Sequence, residues 1–372
     1  MNNIKLKRVE MYKVALQPVA PLAAAHGTIA ERPIIIVRVW DADANYGWGE
    51  CIAQAKSGYL AETVDSAWKA LYAGVIPAAL SREFENPDKL SEYLSIAMRQ
   101  TPVAAAAVEM ASWDMIARRQ GRSLANLFGG TRSNVPAGRT LGIPPAGERL
   151  AGAVEQARRD GYQRIKIKIE PSRALSLTSE AVVAAEGVPV VADANGSFSP
   201  VEVQGLRELD AVDLAWIEQP YPAASLRASS QLRDSLSTQV ALDESVSSMN
   251  AVDRIIAMHA AAGLSIKPGR LGGYGASLQV YRKAKAAGLS VWIGGMLETG
   301  IGRAHNLALA SLPGFDFPGD MSPSKVYWER DLLVEPIEMV AGHIAVPDGP
   351  GIGVEVDKGH LAAATLERRV VE

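Results

Sequence analysis

Five ionisable residues recur in this chain at a nearly constant interval. Asp193, Glu218 and Asp243 follow Lys168 at steps of 25 residues, and Lys267 follows after 24 more. Each closes a short apolar segment: RIKIK, VPVVAD, LAWIE, QVALD and GLSIK. Three carboxylates brought together in a partly buried place repel one another and lose hydration. A hard divalent cation relieves both costs. An all-oxygen donor set suits Mg2+, or Mn2+, with water and substrate oxygens completing the octahedron. Taken singly, each acid is better explained as the partner of an arginine or as a helix cap. Taken as three in step, they favour the metal. The two lysines bracket the acids, so a substrate carboxylate on the cation would have one amine on each face of its α-carbon. That geometry suits abstraction of a proton α to a carboxylate, with the metal stabilising the enediolate.

Lys166 lies two positions before Lys168 in RIKIKIEP, on the same strand face and about 6–7 Å away. At an effective dielectric near 20, two ammonium groups at that distance repel by roughly 2.4 kcal/mol, or about 1.7 pKa units. Lys166 is therefore expected to support Lys168 as a base by lowering its pKa. The alternative, a snorkelling or ion-paired lysine, weakens where both faces of the strand are covered. Three neighbours are expected around this set. Asn195, in DAN, would bond a ligand or a lysine. Glu244 would pair with a lysine, and Arg270 would tune Lys267. Each also reads as an ordinary surface or turn residue.

The elements that must position these residues follow from the same spacing. Strand-like segments near 137–143, 164–169, 188–193, 214–218, 239–243, 263–267, 289–295 and 315–319 alternate with helical stretches such as 146–161 and 276–288. One βα unit fits each interval, and eight such strands over roughly 200 residues suit a TIM-type barrel. In a barrel the C-terminal strand ends share one mouth. An open doubly wound sheet is the structural rival, but it usually brings a glycine-rich phosphate loop after its first strand. GRLGGYG (269–275) lacks that spacing and reads as a turn. Before the barrel, strands at about 4–16, 33–40 and 46–52 precede helices at 61–71 and 104–121, an α+β unit. The expected division is 1–130 for that unit, 131–325 for the barrel and 326–372 for a C-terminal segment returning to the first unit.

The 372 residues are 48% hydrophobic and 21% charged, with a net charge of −3. That charge offers nothing to nucleic acid or an anionic membrane. No apolar run reaches the ~18 residues of a membrane span. MNNIKLKRVEMYKV alternates like a strand and has no signal-peptide core. The single cysteine, Cys51, excludes an internal disulfide and fits a cytoplasmic setting. The five histidines (His26, His259, His305, His343 and His360) show no HxxxH pair, so an ordinary zinc site is not expected. The expected partners are a small-molecule carboxylate substrate and further copies of the chain, a homo-oligomer.

KIKIEP, VADANGSF, WIEQP, LDES, IKPGRLGG and GGMLETGIGRAHNLALASLPGFDFPGD, with GWGEC and AVEMASWD upstream, resemble the enolase superfamily, muconate-lactonizing subgroup. Within it the chain is most similar to the o-succinylbenzoate synthase / N-acylamino acid racemase family. Lysine bases working with a divalent metal are the established arrangement of that superfamily. The resemblance implies a modified (β/α)7β barrel under an α+β capping domain built from both chain ends. It implies Asp193, Glu218 and Asp243 as Mg2+ ligands and Lys168 and Lys267 as the acid/base pair, with Lys166 supporting. Gly294, Gly295 and Met296 would line the substrate pocket beneath capping loops at about 20–28 and 52–60. Tyr59 matches the usual aromatic of the second loop. The first loop departs: AAAHG (23–27) puts His26 where an aromatic is common, a candidate substrate contact.

Two reactions fit one such site. A synthase would dehydrate its substrate to o-succinylbenzoate for menaquinone synthesis, with Lys168 as base. A racemase would exchange protons with the α-carbon of an N-acylamino acid through both lysines. A non-catalytic binding barrel would have lost one of the five residues, and all five are present. A Schiff-base aldolase barrel would carry one isolated lysine and no acidic triad.

Overall fold

A computed structural model describes residues 3–24, 27–29, 32–201 and 203–372. At its centre is a seven-stranded parallel sheet whose strands follow chain order. They are β1 (Gly138–Leu141), β2 (Arg164–Lys168), β3 (Val190–Asp193), β4 (Trp216–Glu218), β5 (Gln239–Leu242), β6 (Gly263–Ile266) and β7 (Ser290–Ile293). Parallel neighbours need crossovers, supplied by helices such as Ala174–Ala185 and Tyr274–Ala286. With helices outside and side chains inside, both faces of the sheet are covered, and β2 is buried at every residue. Ile165 and Ile167 join the outer core with Ala174, Leu177 and Ala181. The period of two leaves Arg164, Lys166 and Lys168 on the inward face.

An eighth strand at 315–319 does not form; those residues are irregular. Closure comes slightly later. Asp320 N–H donates to Ile293 O (2.8 Å), and Gly138 N–H donates to Met321 O (3.0 Å). One hydrogen bond to each side thus joins β7 to β1 across a coil. Pro318 has no N–H to give a ladder. The aromatic residues that read as strand serve packing instead: the Phe317 ring lies 6.0 Å from Trp216 and 5.4 Å from Trp292, plugging the barrel floor. GRLGGYG is more than a turn. Pro268–Leu271 forms one helical turn, stopped at Gly272, and the next helix starts at Tyr274.

The N-terminal unit is a four-stranded antiparallel sheet in the order Thr365–Val371, Leu6–Ala15, Pro33–Asp41, Tyr46–Cys51. The last strand of the chain therefore lies beside the first. Helix Pro102–Arg119, buried from Val103 to Ala117, covers the sheet. GWGE explains how closely it approaches: a Cβ at Gly47 or Gly49 would collide with the carbonyl oxygens of Ala111 and Ala107. The helix expected at 61–71 begins at Val64 behind a Thr63 capping box and widens into a π-helical turn, Leu71–Val75. Among the described residues, no helix is long and apolar enough to cross a membrane.

Candidate active site

Strand register sets the mouth. Lys168 pairs with Asp193 across β2 and β3, and Asp193 pairs with Glu218 across β3 and β4. Asp243 and Lys267 directly follow β5 and β6. All five are buried. Counting the closing coil as an eighth position, β2 and β6 face each other across the barrel.

The lysines take different partners. Lys168 Nζ lies 2.7 Å from Asp193 Oδ2. Lys267 Nζ lies 2.8 Å from Asp243 Oδ2, donates to the Tyr59 hydroxyl, and sits 4.7 Å from the centre of that ring. Lys166 Nζ reaches Asp320 Oδ2 at 2.7 Å, Glu218 Oε1 at 3.1 Å and Asp193 Oδ2 at 3.4 Å. These partners add to the role expected of Lys166. Burial would discharge it, but Asp320, Glu218 and Asp193 outweigh burial and hold its pKa well above the ordinary lysine value. It is a fixed charge neutralising three carboxylates. Lys166 and Lys168 share the Asp193 Oδ2 atom, at 3.4 and 2.7 Å.

The acids divide in the same way. Burial would raise Asp193, but Lys168 and Lys166 bring it below the usual carboxylate range. Burial also opposes Asp243, and Lys267 with Arg270 drives it well below. Glu218 goes the other way: burial, with Asp193 and Asp320 close by, raises it despite Lys166. Among the described residues, no three His, Cys, Asp or Glu side chains are gathered closely enough to hold a metal ion. Each acid is turned instead to an ammonium group. The donor set nevertheless fits a hard divalent cation. It consists only of carboxylate oxygens, on three adjacent strand ends, and Glu218 keeps a raised pKa even with a lysine at 3.1 Å.

The neighbouring residues depart from expectation in detail. Among the described residues Glu244 forms no ion pair with a lysine, although Lys267 is near enough to act on its charge. Glu244 Oε1 accepts from Asn195 Nδ2 at 2.9 Å, and burial with Asp243 and Asp193 raises its pKa. Asn195 reaches a candidate ligand only through its backbone N–H, 3.0 Å from Asp193 Oδ1. Arg270 acts on Lys267 indirectly: its Nη1 donates to Asp243 Oδ1 (2.8 Å) and to the Tyr59 hydroxyl (3.0 Å). Tyr59 itself donates to Asp243 Oδ2 at 2.6 Å, so the second-loop aromatic meets the lysine side of the mouth. At Gly294 a Cβ would lie 2.5 Å from Lys267 Cε; the missing side chain is the space that lysine occupies. Gly295 N–H donates to Asp320 Oδ2 (3.2 Å), and Met296 is buried. His26 lies outside the described residues.

Three contributors escaped the sequence reading. Asp320 binds Lys166 and Arg164 together. Gln219 Oε1 accepts from Asp243 N–H at 2.9 Å, orienting the end of β5. Arg32 bridges two loops, as described below. Asp320 and Gln219 stand inside recognisable stretches, PGD and EQP, but neither repeats with the 25-residue period.

An enolase C-terminal domain-like family model matches residues 149–360, and the mandelate racemase / muconate lactonizing enzyme N-terminal domain matches residues 8–129. The chain belongs to the enolase superfamily, in its mandelate racemase / muconate lactonizing enzyme family. It is 37% identical to an o-succinylbenzoate synthase of Geobacillus stearothermophilus over 99% of this chain and 98% of that one. It is 38% identical to an N-succinylamino acid racemase of Thermus thermophilus over 92% of each. A crystal structure of an enolase superfamily member from Listeria innocua superposes with a TM-score of 0.94 at 30% identity, covering 99% of both chains.

Proposed function

We propose that the protein is a divalent-metal-dependent enzyme that removes a proton α to a carboxylate, and that it dehydrates its substrate to o-succinylbenzoate. The observation that carries this reading is the pair of buried lysines at opposed strand ends, each on its own acid: Lys168 on Asp193 and Lys267 on Asp243. Asp193, Glu218 and Asp243 would hold the cation, Mg2+ by preference of an oxygen donor set. When bound, it supplies Lewis-acid stabilisation of charge on the substrate carboxylate. Lys168, as the free amine, takes the α-proton and returns it to the departing hydroxyl, which leaves as water. Lys267 stays protonated and offsets the developing negative charge from the opposite face. Tyr59, from the second capping loop, covers the Lys267 side of the mouth through its bonds with Lys267 and Asp243. Menaquinone synthesis in the cytoplasm is the setting this reading gives.

A second reading is favoured by the symmetry of the two lysines. Either could exchange a proton with the α-carbon of an N-succinylamino acid, which makes racemisation available to the same site. Arg270 supports it, because a guanidinium sharing Asp243 with Lys267 matters most if Lys267 transfers protons. One experiment tests both readings. Dehydration is followed in parallel with α-deuterium exchange in D2O from each enantiomer of N-succinyl substrates. Lys168→Ala and Lys267→Ala should each lower dehydration by about 10²–10⁴-fold while leaving the fold intact. Exchange from both enantiomers supports racemisation; exchange from one counts against it. Full activity after EDTA treatment would sink the metal-dependent reading.

A further inference from the structure

We propose that Arg32 is a positioning residue that ties the second capping loop, residues 52–60, to the pocket-lining loop after β7, and so fixes Tyr59 against Lys267. Arg32 is only 3% exposed. Its Nη1 donates to the carbonyl of Ala53 (2.5 Å), and its Nη2 to those of Ile52 (3.3 Å) and Met296 (3.0 Å). Segments 243 residues apart (Ala53 and Met296) thus share one guanidinium. Its donors are held in a rigid plane, so binding the carbonyls also fixes the distance between the two loops. Both terminal nitrogens are thus bonded to backbone carbonyls, while the buried Nε has no hydrogen-bond partner among the described residues. Burial acts against the charge, and Glu50 and Glu298 offset that from nearby.

A second contact braces the same loop base. A Cβ at Gly269 would meet Ile52 Cγ1 at 2.7 Å, so Ile52 packs directly on the helical turn that carries Arg270. Seven residues after Ile52, Tyr59 reaches Asp243 and Lys267. Lys168 is bonded to Asp193, across the mouth. The clamp therefore acts on one lysine of the two. Arg32 touches none of the lysines or acids at the strand ends; it acts through the loop.

That the loop closes over substrate rests on the function proposed above; that Arg32 holds the loop does not. Full-length Arg32→Gln and Arg32→Lys separate the two. In Arg32→Gln, backbone amide exchange at 52–60 and 294–299 should accelerate by at least about tenfold, with β2 to β5 unchanged. Arg32→Lys, which keeps the charge but loses the fork, should accelerate it less. In turnover, KM should rise by about tenfold with a smaller fall in kcat. Deuterium exchange at the substrate face served by Lys267 should slow more than at the face served by Lys168. Unchanged exchange in both loops would overturn the proposal. So would equal acceleration across the barrel strands with KM unaltered, since that marks a purely structural role. If the unsubstituted protein turned over neither substrate class while the loops still loosened in Arg32→Gln, the clamp would stand and only the proposed reaction would fall.

Discussion

At the scale of single residues, the site depends on where each side chain is allowed to be. Gly294 is the sharpest case, because a methyl group there would press on Lys267 at Cε (2.5 Å) and Cγ (2.9 Å). Both contacts are shorter than carbon atoms tolerate, and β7 cannot retreat because Gly294 N–H is bonded to Ile266 O (2.9 Å). Gly294→Ala should therefore move the Lys267 ammonium off Asp243 and lower kcat/KM by roughly 100-fold, about 2.7 kcal/mol. Steady-state kinetics check this, with circular dichroism showing an unchanged fold. Lys267 was legible in the sequence because a lysine ending an apolar segment stands out and keeps time with three acids. The surroundings of Lys166 were not. Its strongest partner, Asp320, stands 154 positions later in a coil with no periodicity to betray it. The reading from RIKIK alone assigned repulsion between two lysines; the structure has Lys166 between Asp320 and Glu218.

At the scale of elements, seven strands could be read from their apolar runs and spacing, whereas the eighth position could not. FDFPG has the apolar content of a strand, but its phenylalanines are packing groups, and the backbone that closes the barrel belongs to Asp320 and Met321. Asp320 joins backbone closure to charge balance. Its carboxylate pairs with Arg164, which is fully buried, and with Lys166. Burial would raise its pKa, and the two cations hold it far below the usual carboxylate range. Removing it leaves two buried cations short of a counter-charge, although Glu218 still serves Lys166. Losing one partner of a buried pair costs about 3–5 kcal/mol. Asp320→Ala should lower the unfolding free energy by that amount in urea titrations. A change below about 1 kcal/mol would mean that the closing coil does not depend on the pair.

At the scale of the whole molecule, two cap carboxylates fasten the cap to the barrel by capping barrel helices. Glu50 accepts from Thr299 N–H (3.1 Å), Thr299 Oγ1 (2.7 Å) and Gly302 N–H (3.1 Å), at the start of helix Gly300–Ala310. Glu109 accepts from Tyr274 N–H and Gly275 N–H, both at 2.9 Å, at the start of helix Tyr274–Ala286. A helix N-terminus favours an anion, yet both side chains are fully removed from water. Burial pushes each pKa up to about 7 from an ordinary 4.5, and the donated hydrogen bonds limit the rise. The consequence for stability has a definite sign. With a raised folded-state pKa, the folded protein binds more protons between about 4.5 and 7. Its stability from Glu109 is therefore complete below that window and lost as pH rises through it. The full loss corresponds to at most about 3 kcal/mol per group. Glu109→Gln removes this dependence while other titrations cancel between variant and parent. Urea unfolding of both proteins from pH 4.5 to 8 should show the variant gaining on the parent as pH rises to about 7, then a constant difference. A difference independent of pH across that window would show that Glu109 stays ionised throughout, with its four hydrogen bonds and the helix end outweighing burial.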